Sequence, residues 1–532
     1  MTAVRQRRLV RMGLFAAASV AATLAGGFDA SSSLDVMLTN LPQQQSSAYS
    51  QLYEAAGKPD REVLEMSKAE IWKIPSGQWE AFLVLAQKAG SNAQKLSPAA
   101  NHLLLPMAES KGMSAAQSAV MHAAMDTKAA VGAAVMSVAP AAVSEHILSG
   151  GEIVIPLAGG FAVTAKRISL HKRDDGYAWH GVVTETGEPV TILWWATGRV
   201  AGSVTYRGHV YSVHELGGDM QAVIEMDPAR MPQEHAPMPF NMMEKMHFAK
   251  DPLVTQGDPS ALTGVRGAGA PKDGGTEKAV KEARDIPSAS AGVIAPGPLD
   301  IIRVGSLPQV ATPKAVIRLI VAYTKAAAAH YQDIKMDLIP LAIEDANESF
   351  RMSGIDNVEL ELAYAYETDY VESGSHFEHV FRFADKNDGY MDEVHALRDR
   401  YKADVGVLIV DDPHGCGLSA GVHVDADRAF TVVHHECAAN MYSLAHEIGH
   451  IIGARHDKAL DDSKEPFSFG HGYVSGKNWR TMMAYKDSCD GCPRVPVWSN
   501  PRVMIRGVPA GNAESDNARV ISENAARVAA FR

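Results

Sequence analysis

The chain has 532 residues, which is too long for one ordinary domain and fits two or three. With 46% hydrophobic and 21% charged residues, its composition is that of a globular protein and excludes a largely disordered chain. A formal net charge of -12 and a pI near 6.0 argue against nucleic acid or an anionic membrane as the main partner.

The N-terminus has the pattern of an export signal. Several arginines between positions 5 and 11 precede an apolar run from Gly13 to Ala25, which ends in small residues. We therefore predict a signal peptide over residues 1–27. No later apolar stretch is long enough to span a membrane, so we expect no stable membrane anchor after signal cleavage. The predicted location is secreted, either extracellular or periplasmic.

Residues 28–250 divide into two parts by their hydrophobic period. Helix-like spacing over Trp79–Ala86 and Ala115–Met125 predicts a small helical region that extends to about residue 150. From Glu152 to Asp227 the period changes to two, and Gly-rich turns separate the segments. This second part is predicted to be an antiparallel β module.

Residues 251–313 are rich in Gly and Pro, which predicts a solvated linker. Beyond it, residues 314–532 alternate between strand-like and helix-like segments. We predict strands at Ala315–Thr324, Val358–Tyr366, Val405–Val410 and Ala429–Val433, and helices at Leu341–Arg351, at Met391–Tyr401 and from near Asn440. This order predicts an α+β fold in which helices flank a twisted mixed sheet.

The last of these helices carries a pattern typical of a catalytic zinc site. His446 and His450 are four residues apart, so they share one helix face and can bind one Zn²⁺ at about 2.0–2.1 Å. Glu447 can take the proton of the water that the ion activates. Gly453 permits a positive-φ turn that returns His456 as a third ligand and leaves the fourth position open. A surface helix that merely carries several histidines is the alternative, but chance gives the pattern with a probability below about one in ten thousand.

A second motif, Trp479–Tyr485, follows about 25 residues downstream and resembles the methionine turn beneath the zinc site of metzincins. Met483 is the predicted turn methionine. Tyr485 is a candidate catalytic residue that could stabilise the oxyanion, with a buried structural tyrosine as the alternative. Asp457 is predicted to orient the loop of the third ligand rather than to touch the metal. The other clustered histidines are predicted to be structural: His434, His435 and His471.

Together these segments resemble the bacterial peptidyl-Asp metalloendopeptidases, which are similar to the reprolysin-like metzincins. The resemblance extends from near Ala315 to the C-terminus. It implies a metzincin catalytic domain and a secreted zinc endopeptidase whose protein or peptide substrates carry an acidic residue, chiefly Asp, after the scissile bond. It depends on the zinc motif and on Ser443–Ala445, Gly470–Tyr473, Trp479–Tyr485, Cys489–Arg494 and Trp498–Pro501.

All four cysteines lie in the C-terminal part, and an even count in an exported chain predicts two disulfides. Three pairings are possible. We favour Cys416 with Cys437, which brackets a loop and a strand, and Cys489 with Cys492, which closes a tight loop. A second metal site is the rival interpretation, although an oxidising compartment and the lack of a paired cysteine–histidine pattern count against it.

Residues 28–250 are predicted to be a propeptide that blocks the cleft as an intramolecular inhibitor, so that the enzyme is made as a zymogen. No cysteine precedes Cys416, so a prodomain thiol cannot block the zinc. The sequence Gly217-Gly218-Asp219 is superficially like the aspartate switch of astacins, but we favour a hairpin turn. Alternatively, the β module is a retained substrate-binding or adhesion domain whose surface includes Trp194 or Trp195.

The chain after the methionine turn offers cations for an acidic substrate side chain. In metzincins this stretch forms the outer wall of the pocket after the scissile bond, and here it carries Lys486, Arg494 and Arg502. Arg494 is the first candidate for substrate binding, because Arg can grip a carboxylate through two hydrogen bonds. The alternative is a set of solvated loop charges. The rival function for the whole chain is a zinc-binding adhesion or toxin-associated module with little proteolysis, against which the intact Glu447 counts.

Overall fold

A computed structural model describes residues 101–107, 112–139, 151–234, 301–307 and 314–532, and all of these belong to one compact unit. The predicted signal peptide, the helix predicted at Trp79–Ala86 and most of the predicted linker lie outside the described residues. Among the described helices, none is long and apolar enough to cross a membrane.

The N-terminal part contains helix α1 and a nine-stranded sheet. Helix α1, Ala115–Met125, has the predicted bounds and begins at a capping box between Ser114 and Gln117. The sheet is antiparallel throughout, as the alternating pattern predicts for Glu152–Asp227, in the order β1-β2-β9-β8-β7-β6-β5-β4-β3. Its strands are β1 Leu104–Pro106, β2 Ala130–Val138, β3 Glu152–Pro156, β4 Ala162–Arg173, β5 Gly176–Val183, β6 Pro189–Trp195, β7 Val200–Tyr206, β8 His209–Gly217 and β9 Met220–Met226. The prediction of a helical region up to about residue 150 is wrong for the first two strands of this sheet, because the second of them pairs along β9 and extends the sheet.

A tight turn joins β8 to β9 at the sequence that resembles an aspartate switch. Gly218 and Asp219 both have positive φ, at 62° and 68°, which is the conformation of a two-residue type I′ hairpin turn. The hairpin interpretation of this sequence is therefore confirmed.

Both adjacent tryptophans of β6 are buried, which is more than the alternation of a strand requires. Trp194 is 3% exposed and lies in the core of the β module, whereas Trp195 is 4% exposed and packs in a core cluster shared with the C-terminal part. The suggestion that one of them contributes to an adhesion surface is wrong for this structure, because the opposite face of the strand is covered by the C-terminal part.

A five-stranded mixed sheet forms the centre of the C-terminal part. Four strands are parallel and the short edge strand β14 is antiparallel to its neighbour. Every residue of β13 is buried, because parallel strands covered by helices on both faces require an apolar run. The order is β12-β11-β13-β15-β14, with β11 at Ala315–Tyr323, β12 at Val358–Glu367, β13 at Val405–Val410, β14 at Gly417–Ser419 and β15 at Phe430–His434.

Helices cover this sheet and share one apolar core with it. The three predicted helices are present, whereas the longer helices His376–Ala384 and Asn517–Val528 and three helices of four residues were not predicted. The helices are α2 Lys325–Ala328, α3 Ile334–Asp337, α4 Ile339–Met352, α5 His376–Ala384, α6 Glu393–Tyr401, α7 His435–Ala438, α8 Ser443–Ile452 and α9 Asn517–Val528.

Two small sheets and two disulfides complete the C-terminal part. The strand β10, Ile301–Arg303, lies within the range predicted as linker and pairs with β18. Both favoured disulfides, Cys416–Cys437 and Cys489–Cys492, are present. The remaining strands are β16 Val474–Ser475, β17 Trp479–Arg480, β18 Asn500–Ile505 and β19 Val508–Ala510.

Candidate active site

The three predicted metal ligands converge at the end of helix α8. His446 and His450 share one helix face, and Nε2 of His456 lies 3.1 Å from Nε2 of His446 and 2.9 Å from Nε2 of His450. A tetrahedral metal ion with bonds of 2.0–2.1 Å holds its donor atoms roughly 3.3 Å apart, so only a small expansion is needed. The helix ends as predicted at Gly453, where φ is 135° and the chain turns to bring His456 back.

Hydrogen bonds at Nδ1 prepare two of the three histidines, His446 and His450, for metal binding. Nδ1 of His446 donates to the carbonyl oxygen of Met482 at 3.1 Å, and Nδ1 of His450 donates to that of Ala454 at 2.9 Å. Each bond fixes the tautomer in which Nε2 keeps its lone pair. Burial lowers the pKa of all three rings, to about 4 for His450, so the rings are neutral at physiological pH. The donor set therefore fits a divalent metal ion.

Glu447 lies beside the ligands and against the edge strand β14. Its Oε2 accepts a hydrogen bond of 2.9 Å from the hydroxyl of Ser419, and burial raises the pKa of the carboxyl to about 8. A Cβ at Gly417 would stand 2.7 Å from Oε1 of Glu447, so only glycine leaves room for the carboxylate there. Two residues of one short strand thus fix the position of the predicted base.

Tyr485 and Asp457 occupy different parts of the site. The ring centroid of Tyr485 lies 4.5 Å from that of His456, and burial raises the pKa of the phenol well above 10. Asp457 accepts hydrogen bonds from the backbone N–H of Tyr485 at 3.0 Å and from the hydroxyl of Ser488 at 2.7 Å. Its carboxylate therefore ties the loop of the third ligand to the chain after the methionine turn, which is the orienting role predicted for it.

The methionine turn lies in the core beneath the metal ligands. Met482 and Met483 are fully buried in the cluster that contains the apolar side of helix α8. In addition, the carbonyl of Met482 accepts the hydrogen bond that orients the ring of His446, a predicted ligand. His471 supports the third ligand, since its ring nitrogens lie 3.0 and 2.9 Å from the carbonyl oxygens of His456 and Ser463. The structural role predicted for His471 agrees with these contacts.

Of the three cations proposed for the pocket, the structure places only the side chain of Arg494 in a buried site. Arg494 is 5% exposed at its side chain, donates to the carbonyl of Met441 at 2.7 Å and pairs with Glu234 at 2.6 Å. Arg502 instead pairs with Asp516. The interpretation of Arg494 as a solvated loop charge is therefore wrong.

Several residues of the site were not identified from the sequence. Ser419 and Gly417 lie about 30 positions before Glu447, on a strand of only three residues, and Arg480 and Glu234 meet Arg494 only in the fold. Arg480 lies within the Trp479–Tyr485 motif, so its place beside the site could have been predicted from that motif. No local pattern marks the others.

These features define a metallopeptidase, and comparison with known proteins agrees. The sequence model of metallo-peptidase family M12 matches residues 314–499. The peptidyl-Asp metalloendopeptidase of Xanthomonas campestris pv. campestris is 36% identical over 63% of this chain and 67% of its own length. The protein of the same name from Stenotrophomonas maltophilia strain R551-3 is 34% identical over 70% of this chain and 80% of its own.

The chain belongs to the peptidyl-Asp metalloendopeptidase family, as the resemblance of its motifs predicts, and it is a metalloendopeptidase. Among solved structures, the crystal structure of metalloproteinase-II from Bacteroides fragilis aligns with 12% identity. The alignment covers 58% of this chain and 83% of that one, with a TM-score of 0.30, which is too low to establish a common fold.

Proposed function

We propose that this chain is a secreted zinc endopeptidase of the metzincin type, made as a zymogen, that cuts on the N-terminal side of acidic residues, chiefly Asp. The observation that carries the proposal is the convergence of three Nε2 atoms beside a buried carboxylate. Zinc is the proposed metal because three neutral histidines with an open fourth position are the donor set of catalytic zinc sites. The mixed sheet, the zinc helix and the buried methionine turn support the metzincin layout.

When bound, zinc would lower the pKa of a water molecule to about 7 and polarise the scissile carbonyl. Glu447 takes the proton of the attacking water and then gives it to the leaving amine. Ser419 keeps the carboxylate in place through its hydroxyl during both transfers. Tyr485, at the side of His456, is the proposed donor to the oxyanion.

Two substitutions separate metal binding from catalysis. Glu447→Ala should leave the metal content unchanged and lower turnover by several orders of magnitude, because the ligands keep their own hydrogen bonds. His446→Ala should lose both metal and turnover. Metal analysis and peptide cleavage on the two purified variants test this, and full activity of metal-loaded Glu447→Ala protein would refute the mechanism.

The preference for an acidic residue after the scissile bond rests on the names of the relatives and on Arg494. A buried guanidinium offsets the cost of burying a substrate carboxylate and can hold it through paired hydrogen bonds. Matched peptides with Asp or Asn after the scissile bond measure the preference. Equal rates on the two peptides would remove it from the proposal.

Contacts between the β module and the C-terminal part support the zymogen. Nε2 of His180 lies 2.9 Å from a carboxylate oxygen of Glu344, and Arg199 pairs with Asp337 at 2.9 Å. Cleavage in the linker would release the module. Because β10 is paired into the C-terminal part, we expect the active form to begin between residue 251 and Ile301. Terminal sequencing of the active species tests this expectation.

The alternative function, an adhesion or toxin-associated module with little proteolysis, predicts that the β module stays attached and presents a binding surface. The burial of both Trp194 and Trp195 counts against such a surface. An active species that keeps residues 31–250 covalently attached would favour the alternative.

A further inference from the structure

A buried carboxylate lies between two arginines next to the metal ligands. Oε1 of Glu234 is 2.7 Å from Nη2 of Arg480 and 2.6 Å from Nη2 of Arg494, and its Oε2 accepts a hydrogen bond of 3.2 Å from the backbone N–H of Lys486. The side chains of Glu234, Arg480 and Arg494 are only 8%, 3% and 5% exposed. Both carboxylate oxygens are therefore bound by donors in a site that excludes most water.

The two arginines are built into the walls of the active site. Arg480 lies on β17, immediately before the methionine turn, and its guanidinium also donates to the carbonyl of Ala484 within that turn. Arg494 follows the turn and donates to the carbonyl of Met441, just before helix α8. These bonds hold both cations in place whether or not a carboxylate is present.

Among the described residues, this pocket holds two positively charged arginines and only one negatively charged carboxylate. Across the parts of the chain that the structure describes, Glu234 is the one carboxylate within ion-pair distance of either Arg480 or Arg494. Without Glu234, the guanidinium groups of Arg480 and Arg494 would stay buried with no anion to offset their desolvation. The empty pocket would therefore favour the binding of another anion.

The backbone next to Glu234 contacts the chain at the start of the edge strand of the mixed sheet. The carbonyl of Gln233 accepts a hydrogen bond of 3.1 Å from the N–H of Cys416, the residue immediately before edge strand β14. Ser419 of the same strand holds Glu447. The segment Met231–Glu234 thus joins one backbone hydrogen bond beside the edge strand to a side chain in a pocket, and extended peptides recognised by strand addition combine the same two kinds of contact.

We propose that Arg480 and Arg494 form the pocket for the acidic side chain of a substrate, and that Glu234 fills this pocket as a built-in substrate mimic until the module is released. This inference rests on the proposed endopeptidase function. It assigns Arg480 as a second specificity-determining residue and Glu234 as the residue that anchors the N-terminal part in the cleft. A substrate with an acidic side chain and the N-terminal part then compete for the same two guanidinium groups.

The first test measures docking without catalysis. Amide hydrogen exchange is followed by mass spectrometry on the full zinc-loaded chain carrying Glu447→Ala, which prevents self-cleavage. Adding Glu234→Gln, which removes the charge at constant shape, should accelerate exchange in the peptides that contain the Cys416 and Lys486 amides by about tenfold or more. Glu234→Asp should lie closer to the parent chain.

The matched control is Glu185→Gln, which neutralises an exposed carboxylate of the β module that pairs with Arg207. It should leave the exchange of both amides unchanged. If Glu234→Gln also leaves them unchanged, or if the control accelerates them as much, Glu234 does not anchor the segment and the proposal is wrong.

The second test measures specificity on the full chain with an intact Glu447 and the Glu234→Gln substitution. Arg480→Met and Arg494→Met should each lower the ratio of Asp-peptide to Asn-peptide cleavage by about tenfold or more, since each removes half of the carboxylate site. Arg502→Met, which removes a cation paired with Asp516, should leave the ratio unchanged. Metal content verifies that each variant has folded.

The two tests separate the possible failures. Accelerated exchange without cleavage of any peptide would leave the docking of Glu234 standing and refute the endopeptidase function. Unchanged Asp-to-Asn ratios in both arginine variants, with cleavage intact, would refute the pocket while leaving the endopeptidase function standing.

Discussion

Replacing Asp457 with alanine should weaken metal binding without touching a ligand. The carboxylate is 3% exposed and accepts bonds from the N–H of Tyr485 at 3.0 Å and from the hydroxyl of Ser488 at 2.7 Å. Leaving the buried N–H of Tyr485 unsatisfied costs about 1–3 kcal/mol, and losing the partner of the half-buried Ser488 hydroxyl adds less. The neighbouring residue His456 is the proposed third ligand, so part of this cost should appear as weaker metal binding. Loss of such outer partners typically weakens metal binding by about 10–100-fold.

Asp457→Asn is the matched variant, because an amide can accept from the Tyr485 N–H through its oxygen and donate to the Ser488 hydroxyl through its nitrogen. It loses only the longer bond of 3.3 Å that the N–H of Ala459 donates to Oδ1 of Asp457. It should change the metal dissociation constant by about threefold or less, which is well under 1 kcal/mol. Asp462→Ala, in an exposed position of the same loop, should have no effect.

Titration with a competing chelator gives the dissociation constant for all three variants without any need for turnover. Asp457→Ala protein that binds metal as tightly as the parent chain would refute the argument, because the carboxylate would then not restrain the loop of the third ligand. Equal weakening by Asp457→Asn and Asp457→Ala would mean that charge, rather than the two hydrogen bonds, is what matters.

Two further predictions follow from the same structure. Gly417→Ala should displace the carboxylate of Glu447, since the new Cβ would stand 2.7 Å from Oε1, and turnover should fall about 100-fold at unchanged metal content; unaltered turnover would show that the carboxylate can shift freely. Burial raises the pKa of Asp345 to about 8, so the folded chain holds a proton that the unfolded chain releases above pH about 4. The free energy of unfolding should therefore fall by roughly 1.4 kcal/mol per pH unit across this window relative to Asp345→Asn, as urea unfolding at pH 5 and pH 8 would measure; identical pH dependence would contradict it.

The elements that the sequence predicts well are those whose signal is local. Strand Val405–Val410 was predicted to the residue, because six apolar residues that are all buried form a continuous run. Helix α8 begins later than expected, since Tyr442 adopts a left-handed conformation with φ of 57° and separates it from α7. Strand β14 was missed because three residues show no period. Helix α5 was missed although Ser375 and Glu378 form a capping box at its start.

The residues of the candidate site also fall into a group that local sequence spacing predicts and a group that it does not. The ligands and Glu447 could be predicted because they fall within one helix and one turn, where sequence spacing determines spatial distance. The residues that contact this group from distant parts of the chain could not be predicted. Glu234 lies 246 positions from Arg480 and 260 from Arg494, so their contact depends on the docking of two parts of the chain rather than on any local pattern. Arg494 was identified only because its place after the methionine turn is itself a short-range signal.

The edge strand β14 links the locally encoded part of the site, which includes Glu447, to the part that forms only when the N-terminal segment docks. Ser419 on this strand holds the carboxylate of Glu447, and Cys416 just before it pairs with the backbone of Gln233. The disulfide from Cys416 to Cys437 ties the start of the strand to the short helix that precedes helix α8. A peptide that pairs with this edge therefore lies in a fixed position relative to the base and the metal ligands. Under the proposed function, three residues that no sequence pattern marks as a strand would therefore align a substrate backbone with Glu447 and the proposed metal ligands.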